Sequence, residues 1–405
     1  EGELWKIVQI LNIDAFDGPN GLGSMSMDTL KTIGTEPMSV DSDKSEVDLL
    51  MDSQIFSASI DSLVRNNINA NANEGNEIVV PTNIQWASSF DQNQRVIKRG
   101  ELYNLIKALN INGIDITNID KNFLNSLGED DVNTLTNSQI ISSNLYNTIE
   151  RAFSEGNELT LPSKDSIVWA NSYDVDGNLL EAGELWKLVQ IIGLIDVNNV
   201  SVNSLQSLSM INGNTTVDGK EAAAINSDLL TSSVIFMANI NSMVSKALEA
   251  QGVEMPNNIE WTNSYNETGE LVEAGELLAL IRALNISQFQ TGGADSHFDF
   301  GKAQSSTVLD ELDLSDPEIE RAIYDSEIIR RSFSDTIVSA ISDAPTTNTL
   351  GESIYSNGAL NPGEIMALLN AVKVDGLSLS NDLNAINVST IVVNLDTLLA
   401  SSIIH

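Results

Sequence analysis

The sequence predicts a mainly α-helical protein, an elongated tandem array of about five helical repeats of roughly 90 residues each. Two observations carry this. A Gly-Glu-Leu segment opening an apolar-striped helix recurs along the chain, and a Pro-to-Trp segment and a Ser-x-Ile segment recur in step with it. Each repeat is expected to hold two main helices, a short helix and an extended Trp loop.

The Gly-Glu-Leu copies begin at Gly2, Gly100, Gly183, Gly275 and Gly363, with spacings of 98, 83, 92 and 88 residues. In the fourth copy Leu277, Leu280, Ile281 and Leu284 fall at i, i+3, i+4 and i+7, one face of a helix. Glycine is an acceptable cap, and a first-turn glutamate suits the helix dipole. The helix is expected to end near Asn110-Ile111 and Asn285-Ile286. The Ser-x-Ile motif, at Ser53, Ser138, Ser233 (shifted by one) and Ser326, opens the second, longer helix; the last copy, around Leu395 to Ile404, departs from it. The longer helix carries stripes such as Phe56, Ile60, Leu63, Val64 and Ile68, or Ile141, Leu145 and Ile149. Short helices are expected at 29–33 and 122–127. The runs Ile78 to Pro81 and Leu159 to Pro162 read as brief extended segments that could pair as strands.

Trp86, Trp169 and Trp261 each precede a Gly-Glu-Leu helix and are followed by Ser89-Phe90, Ser172-Tyr173 and Ser264-Tyr265. The fifth copy lacks its tryptophan. Repeat boundaries follow as 1–77 (without a Trp loop), 78–158, 159–252, 253–343 and 344–405 (shortened).

Composition bounds the function. Of 405 residues, 42% are hydrophobic, enough to bury a core, while aromatics are only 5%. The net charge of −37 disfavours nucleic acid and anionic membranes, which require clustered Lys and Arg, and favours cations or basic proteins as counter-charges. The absence of cysteine excludes disulfides and thiol chemistry. No run approaches the ~20 apolar residues of a membrane span. The chain opens at Glu1 inside a helical pattern and closes on an apolar segment, Ser401 to His405. Such ends suggest trimming, a longer polypeptide, or a subunit that joins head to tail.

One loop, Asp174-Val175-Asp176-Gly177-Asn178 running on to Glu184, resembles the calcium loops of EF-hand and dockerin modules. It offers oxygen ligands at its first, third and fifth positions. The candidate ligands are Asp174, Asp176, Asn178 and Glu184; the glutamate falls one residue early for the bidentate place. The other reading is an Asx turn feeding a helix cap, and the parallel loops at Asp91, Asn266 and Tyr355 have fewer suitable ligands. Catalysis has little support. Only His297 and His405 exist, Asp295, His297 and Asp299 form one weak metal candidate, and no hydrolase, phosphate-loop or dinucleotide motif occurs.

The functional expectation is a non-enzymatic extracellular structural protein, in the style of tandem-repeat bacterial cell-surface proteins. It would form a stalk, surface layer or filament, with itself or other cell-surface components as partners. The alternative is an adhesin whose Trp loops grip glycan or protein, which requires Trp86, Trp169 and Trp261 to be exposed. Calcium is the one cofactor suggested for either.

Overall fold

A computed structural model shows a mainly helical chain with little sheet. It describes residues 2–16, 25–71, 78–115, 119–154, 159–211, 213–291, 297–340, 353–356, 358–373, 379 and 395–403. The fold divides into two compact units, Glu1–Gly193 and Leu194–His405.

The first unit contains helices α1 (Glu3–Leu11), α2 (Met27–Lys31), α3 (Glu46–Asp52), α4 (Gln54–Asn71), α5 (Glu101–Leu109), α6 (Lys121–Ser126), α7 (Glu129–Asn137), α8 (Gln139–Ser154) and most of α9 (Glu184–Leu194). Its strands are β1 (Ser89–Phe90), β2 (Val96–Lys98), β3 (Ser172–Tyr173) and β4 (Leu179–Glu181), paired as two antiparallel hairpins. The second unit contains α10 (Val202–Ser207), α11 (Ala222–Ser232), α12 (Val234–Glu249), α13 (Glu276–Ala283), α14 (Phe300–Ala303), α15 (Ser306–Asp310), α16 (Pro317–Asp325), α17 (Glu327–Ala340), α18 (Pro362–Ala371) and α19 (Leu395–Leu399). It has three hairpins: β5 (Thr216–Val217) with β6 (Lys220–Glu221), β7 (Ser264–Tyr265) with β8 (Leu271–Glu273), and β9 (Tyr355–Ser356) with β10 (Ala359–Leu360).

The apolar stripes lie where the periodicity places them. Ile60 and Val64 of α4, Ile149 of α8, and Leu277, Leu280, Ile281 and Leu284 at α13 are fully buried. Among the described residues, no single helix is long and apolar enough to cross a membrane.

Three expectations are revised. First, a further helix precedes the long one: α3, α7, α11 and α16 are each separated from α4, α8, α12 and α17 by one residue. The break is a single serine, Ser53, Ser138, Ser233 or Ser326, with ψ near 120°. One extended residue turns the chain sharply; α11 and α12 are bent by 110°. Nothing in the hydrophobic pattern marks this, because helical residues flank the serine on both sides. Second, the strands form at the Ser-Phe/Tyr positions, not at Ile78–Pro81 or Leu159–Pro162. Val79 instead pairs with a side chain: its N–H donates to Asn144 Oδ1 (3.0 Å) and its carbonyl accepts from Asn144 Nδ2 (2.9 Å). The amide of α8 thus satisfies the extended backbone as a neighbouring strand would, while Ile78 and Val80 point into the core. Third, Ser401-Ser402-Ile403 does take the Ser-x-Ile place in the last copy, as its bonding to Glu364 shows below.

Within each unit, one Gly-Glu-Leu helix packs on two earlier helices, skipping the long helix that immediately precedes it, as well as on those that follow. In the first unit α5 touches α2 and α3 on one side and α7 and α8 on the other. In the second, α13 touches α10 and α11, then α16 and α17.

Candidate functional site

The three recurrent motifs converge on joints. The first is a buried carboxylate that caps the long helix. The opening N–H groups of an α-helix lack intrahelical partners. At α8, Ser138 Oγ accepts from Ile141 N–H (3.2 Å). Glu101 accepts from Ser138 Oγ (2.6 Å), Gln139 N–H (2.6 Å) and Ile140 N–H (3.1 Å). At α17 the set repeats: Glu276 accepts from Ser326 Oγ (2.8 Å), Glu327 N–H (2.7 Å) and Ile328 N–H (3.2 Å). Glu3 accepts from Ser53 Oγ and from Ile55 N–H at α4. Glu364 accepts from Ser401 Oγ (2.7 Å) and Ile403 N–H (3.1 Å). The motif glutamate is therefore bound to the motif serine some 35 to 50 residues later, a pairing that spacing alone does not reveal.

Burial tunes these carboxyls differently. Removal from water raises the Glu276 carboxyl to about 7 against the hydrogen bonds that hold its charge, and raises Glu101 in the same way. Glu3, half-buried rather than buried, is held below the usual carboxylate range by its bonds to Ser53 and Ile55.

The second joint explains the glycine. A Cβ on Gly100, Gly183 or Gly275 would lie 2.3 Å from the carbonyl oxygen of Trp86, Trp169 or Trp261 respectively. Only a residue without a side chain lets the two backbones meet. The contact is bonded as well: Glu101, Glu184 and Glu276 N–H donate to Gln85, Val168 and Glu260 carbonyls, each at 2.8 Å. The glycine N–H groups donate to Ser88 Oγ, Asn171 Oδ1 and Asn263 Oδ1. Gly2 has nothing within 4 Å. The tryptophans sit in this joint rather than in solvent. Trp261 is buried, Trp86 and Trp169 are half-buried, and Trp86 Nε1 donates to Asp61 Oδ1.

The third joint is the hairpin that follows each tryptophan. Tyr173 Oη donates to Glu129 Oε1 and accepts from Asn133 Nδ2, both on α7. Tyr265 Oη donates to Asp228 Oδ2 of α11, while Asn263 Nδ2 donates to Asp228 Oδ1. Burial and the Asp228 charge push the Tyr265 phenol up to about 12. In the earliest hairpin Phe90 takes the place of tyrosine and Lys44 lies over its ring. Charged pairs reinforce these seams. Arg99 joins Asp48 (3.1 Å) and stacks on Tyr103, and Arg282, nearly buried, joins Glu221 (2.7 Å) and Asp325 (3.7 Å). A cleft of about 490 Å³ is lined by Glu221, Asp228, Tyr265, Glu270 and Arg282, whose polar groups are already engaged in these pairs or in the hairpin turn.

The loop of the candidate calcium ligands is the β3–β4 turn. Asp174 Oδ1 accepts from Asp176 N–H (2.9 Å) and Asn178 N–H (2.8 Å), and Oδ2 accepts from Asn178 Nδ2 (2.9 Å). Those bonds lower the Asp174 carboxyl. Gly177 supplies the positive φ that the turn demands. Glu184 is buried at the start of α9. Asp91 and Asn266 make the same turn, accepting from residues two and four further on, with Gln94 and Gly269 at the positive-φ place. The Asx-turn geometry is thus common to loops with and without calcium-type ligands. Among the described residues, no three Asp, Glu or His side chains stand close enough to share an ion.

His297 belongs to a bridge between Gln290 and Phe298 that delivers Phe298 and Phe300 to a cluster with Phe289 and Phe333. Its backbone and Thr291 bond to each other, and Asp299 caps α14. Asp295 and His405 lie outside the described residues. Sequence reasoning missed Asn133, Asn144 and Asp228; an amide or acid five or six residues from the motif serine is a signal too common to have singled them out.

Compared with protein-family models, curated proteins and solved structures, the chain matches none.

Proposed function

We propose that this chain is a non-enzymatic, extracellular structural protein, built as an array of about five ~90-residue helical repeats and serving in a cell-surface stalk, a surface layer or a head-to-tail filament. The observation that supports this most is where the recurrent residues are spent. The glutamate caps a helix, the glycine admits a neighbouring backbone, and the tyrosine hydroxyl grips an earlier helix. Each motif is consumed in holding one segment to the next. The high acid content and lack of cysteine fit a cell-surface setting. The adhesin reading is weaker because Trp261 is buried and its two counterparts are half-buried.

The test is molar mass and hydrodynamic radius by light scattering in calcium and in chelator, beside a glycan-array screen. A monomer of large radius is expected for a stalk, and open-ended assemblies for a filament or layer. A compact monomer that binds a glycan with a change in tryptophan emission would overturn the structural reading.

A further inference from the structure

The hairpin that follows each tryptophan carries one residue that no internal joint uses. In β1–β2, Ser89 pairs with Lys98 and Phe90 with Val96, which leaves Ile97 as an extra residue on the second strand. The same bulge recurs in β3–β4 at Leu180 and in β7–β8 at Val272. A bulge re-aims the side chain it inserts. Here it leaves an aliphatic side chain in solvent each time: Ile97, Leu180 and Val272 are 69%, 68% and 68% exposed. Single exposed aliphatics are ordinary on a protein surface, but these three hold one position of the repeat, three residues before Gly100, Gly183 and Gly275. Each has a second aliphatic neighbour, half-buried Val96 or exposed Leu179 or Leu271. The β9–β10 hairpin has no bulge, and its Leu360 is buried.

The charges around this shared apolar feature are opposite. Residues 91–99 hold three cations and one acid, whereas 174–182 and 266–274 each hold three acids and no cation. Within the first hairpin Arg95 and Arg99 are neutralised by Asp43 and Asp48. Lys98, next to Ile97, is exposed and forms no ion pair among the described residues. Glu181 and Glu273 take its place in the other two hairpins and are likewise exposed, with no ion pair among the described residues. A chain with a net charge of −37 thus sets a cation beside one bulge and an acid beside its two equivalents. We infer that the β1–β2 hairpin of one copy docks on the β3–β4 or β7–β8 hairpin of a second copy of this chain, burying Ile97 against Leu180 or Val272 and pairing Lys98 with Glu181 or Glu273. This rests on the structural reading above and names a joint for it. The aliphatic contact supplies the affinity. The exposed ion pair adds little energy, but it selects the partner, because two like hairpins would set equal charges face to face. The two surfaces differ, so the contact runs on from copy to copy.

The test uses the whole chain and sedimentation across a wide concentration range at physiological ionic strength. Wild-type protein is expected to exceed its 43.8 kDa monomer mass progressively. Ile97→Gln removes the apolar contact and weakens assembly at least about tenfold. Lys98→Glu sets acid against acid, and Glu181→Lys/Glu273→Lys sets cation against cation, so each variant alone stays monomeric. All the substituted side chains are exposed, so circular dichroism and melting temperature stay those of wild type, which separates a lost contact from a lost fold. Mixing the two charge variants restores opposite charges across the joint, and mass above the monomer returns. A wild type that stays monomeric, assembly that survives either charge variant, or a mixture that stays monomeric overturns the joint. None of these failures touches the structural reading, which stands or falls on the glycan screen and hydrodynamic radius.

Discussion

Replacing Glu276 by glutamine removes a titrating group from the N-terminus of α17 while keeping its shape. Three donors face the carboxylate, from Ser326, Glu327 and Ile328, and the side chain is almost completely buried. Burial lifts the carboxyl from 4.5 to about 7, with the Glu327 charge adding to the rise. Between those values the folded chain keeps a proton that the unfolded chain has released. Stability attributable to this group is therefore full below pH 4.5 and declines as pH rises through about 7. At 1.36 kcal/mol per unit, the loss is about 3 kcal/mol. Glutamine does not titrate. It sacrifices one acceptor and turns an amide N–H toward a helix donor, at a pH-independent cost of about 1–3 kcal/mol. The assay is urea denaturation of both proteins from pH 4.5 to about 8. The advantage of wild type over Glu276→Gln is expected to shrink by about 3 kcal/mol across that range. General acid repulsion is shared by both chains and cancels in the difference. Glu3 supplies the control. Its carboxyl is depressed, so wild type should gain on Glu3→Gln as pH rises through the acid range, the opposite sign. An advantage at Glu276 that stays flat or grows with pH would mean that the three hydrogen bonds outweigh burial, and would refute the reasoning.

Further outcomes follow from the other joints. Gly275→Ala puts a methyl 2.3 Å from the Trp261 carbonyl and is expected to cost about 3 kcal/mol or more by thermal melting, whereas Gly2→Ala, with nothing within 4 Å, should cost about 0.5 kcal/mol. Tyr265→Phe removes the bond to Asp228 at a partly exposed seam and should lower stability by about 1 kcal/mol; an unchanged melting temperature would show that the hydroxyl contributes no net stability. Both Asp174 oxygens already accept hydrogen bonds, so millimolar calcium is expected to leave the melting temperature unchanged; a rise abolished by Asp174→Ala would identify the loop as a calcium site.

Much of the helical content was legible because apolar residues at helical spacing face a core wherever the helix lies. The stripes of α4, α8 and α13 could be read residue by residue. The additional helices α3, α7, α11 and α16 were not, because a one-residue break at serine leaves no change in composition. The hairpins were displaced for a related reason. Ile78 to Val80 has the β-branched character of a strand, yet its backbone partner is the Asn144 side chain, a contact spanning 65 residues.

The sequence by itself determined which residues recur and in what order, and hence that one kind of joint is made several times. Only the tertiary structure decided what each recurrent residue does. Gly-Glu-Leu reads the same at Gly2 and Gly275, but one glycine touches nothing and the other admits a tryptophan backbone. Glu3 and Glu276 hold the same kind of helix end, yet their carboxyls shift in opposite directions. The physical reason is that local sequence sets the hydrogen bonds available to a side chain, while solvent access depends on which other helices cover it, and those lie dozens of residues away.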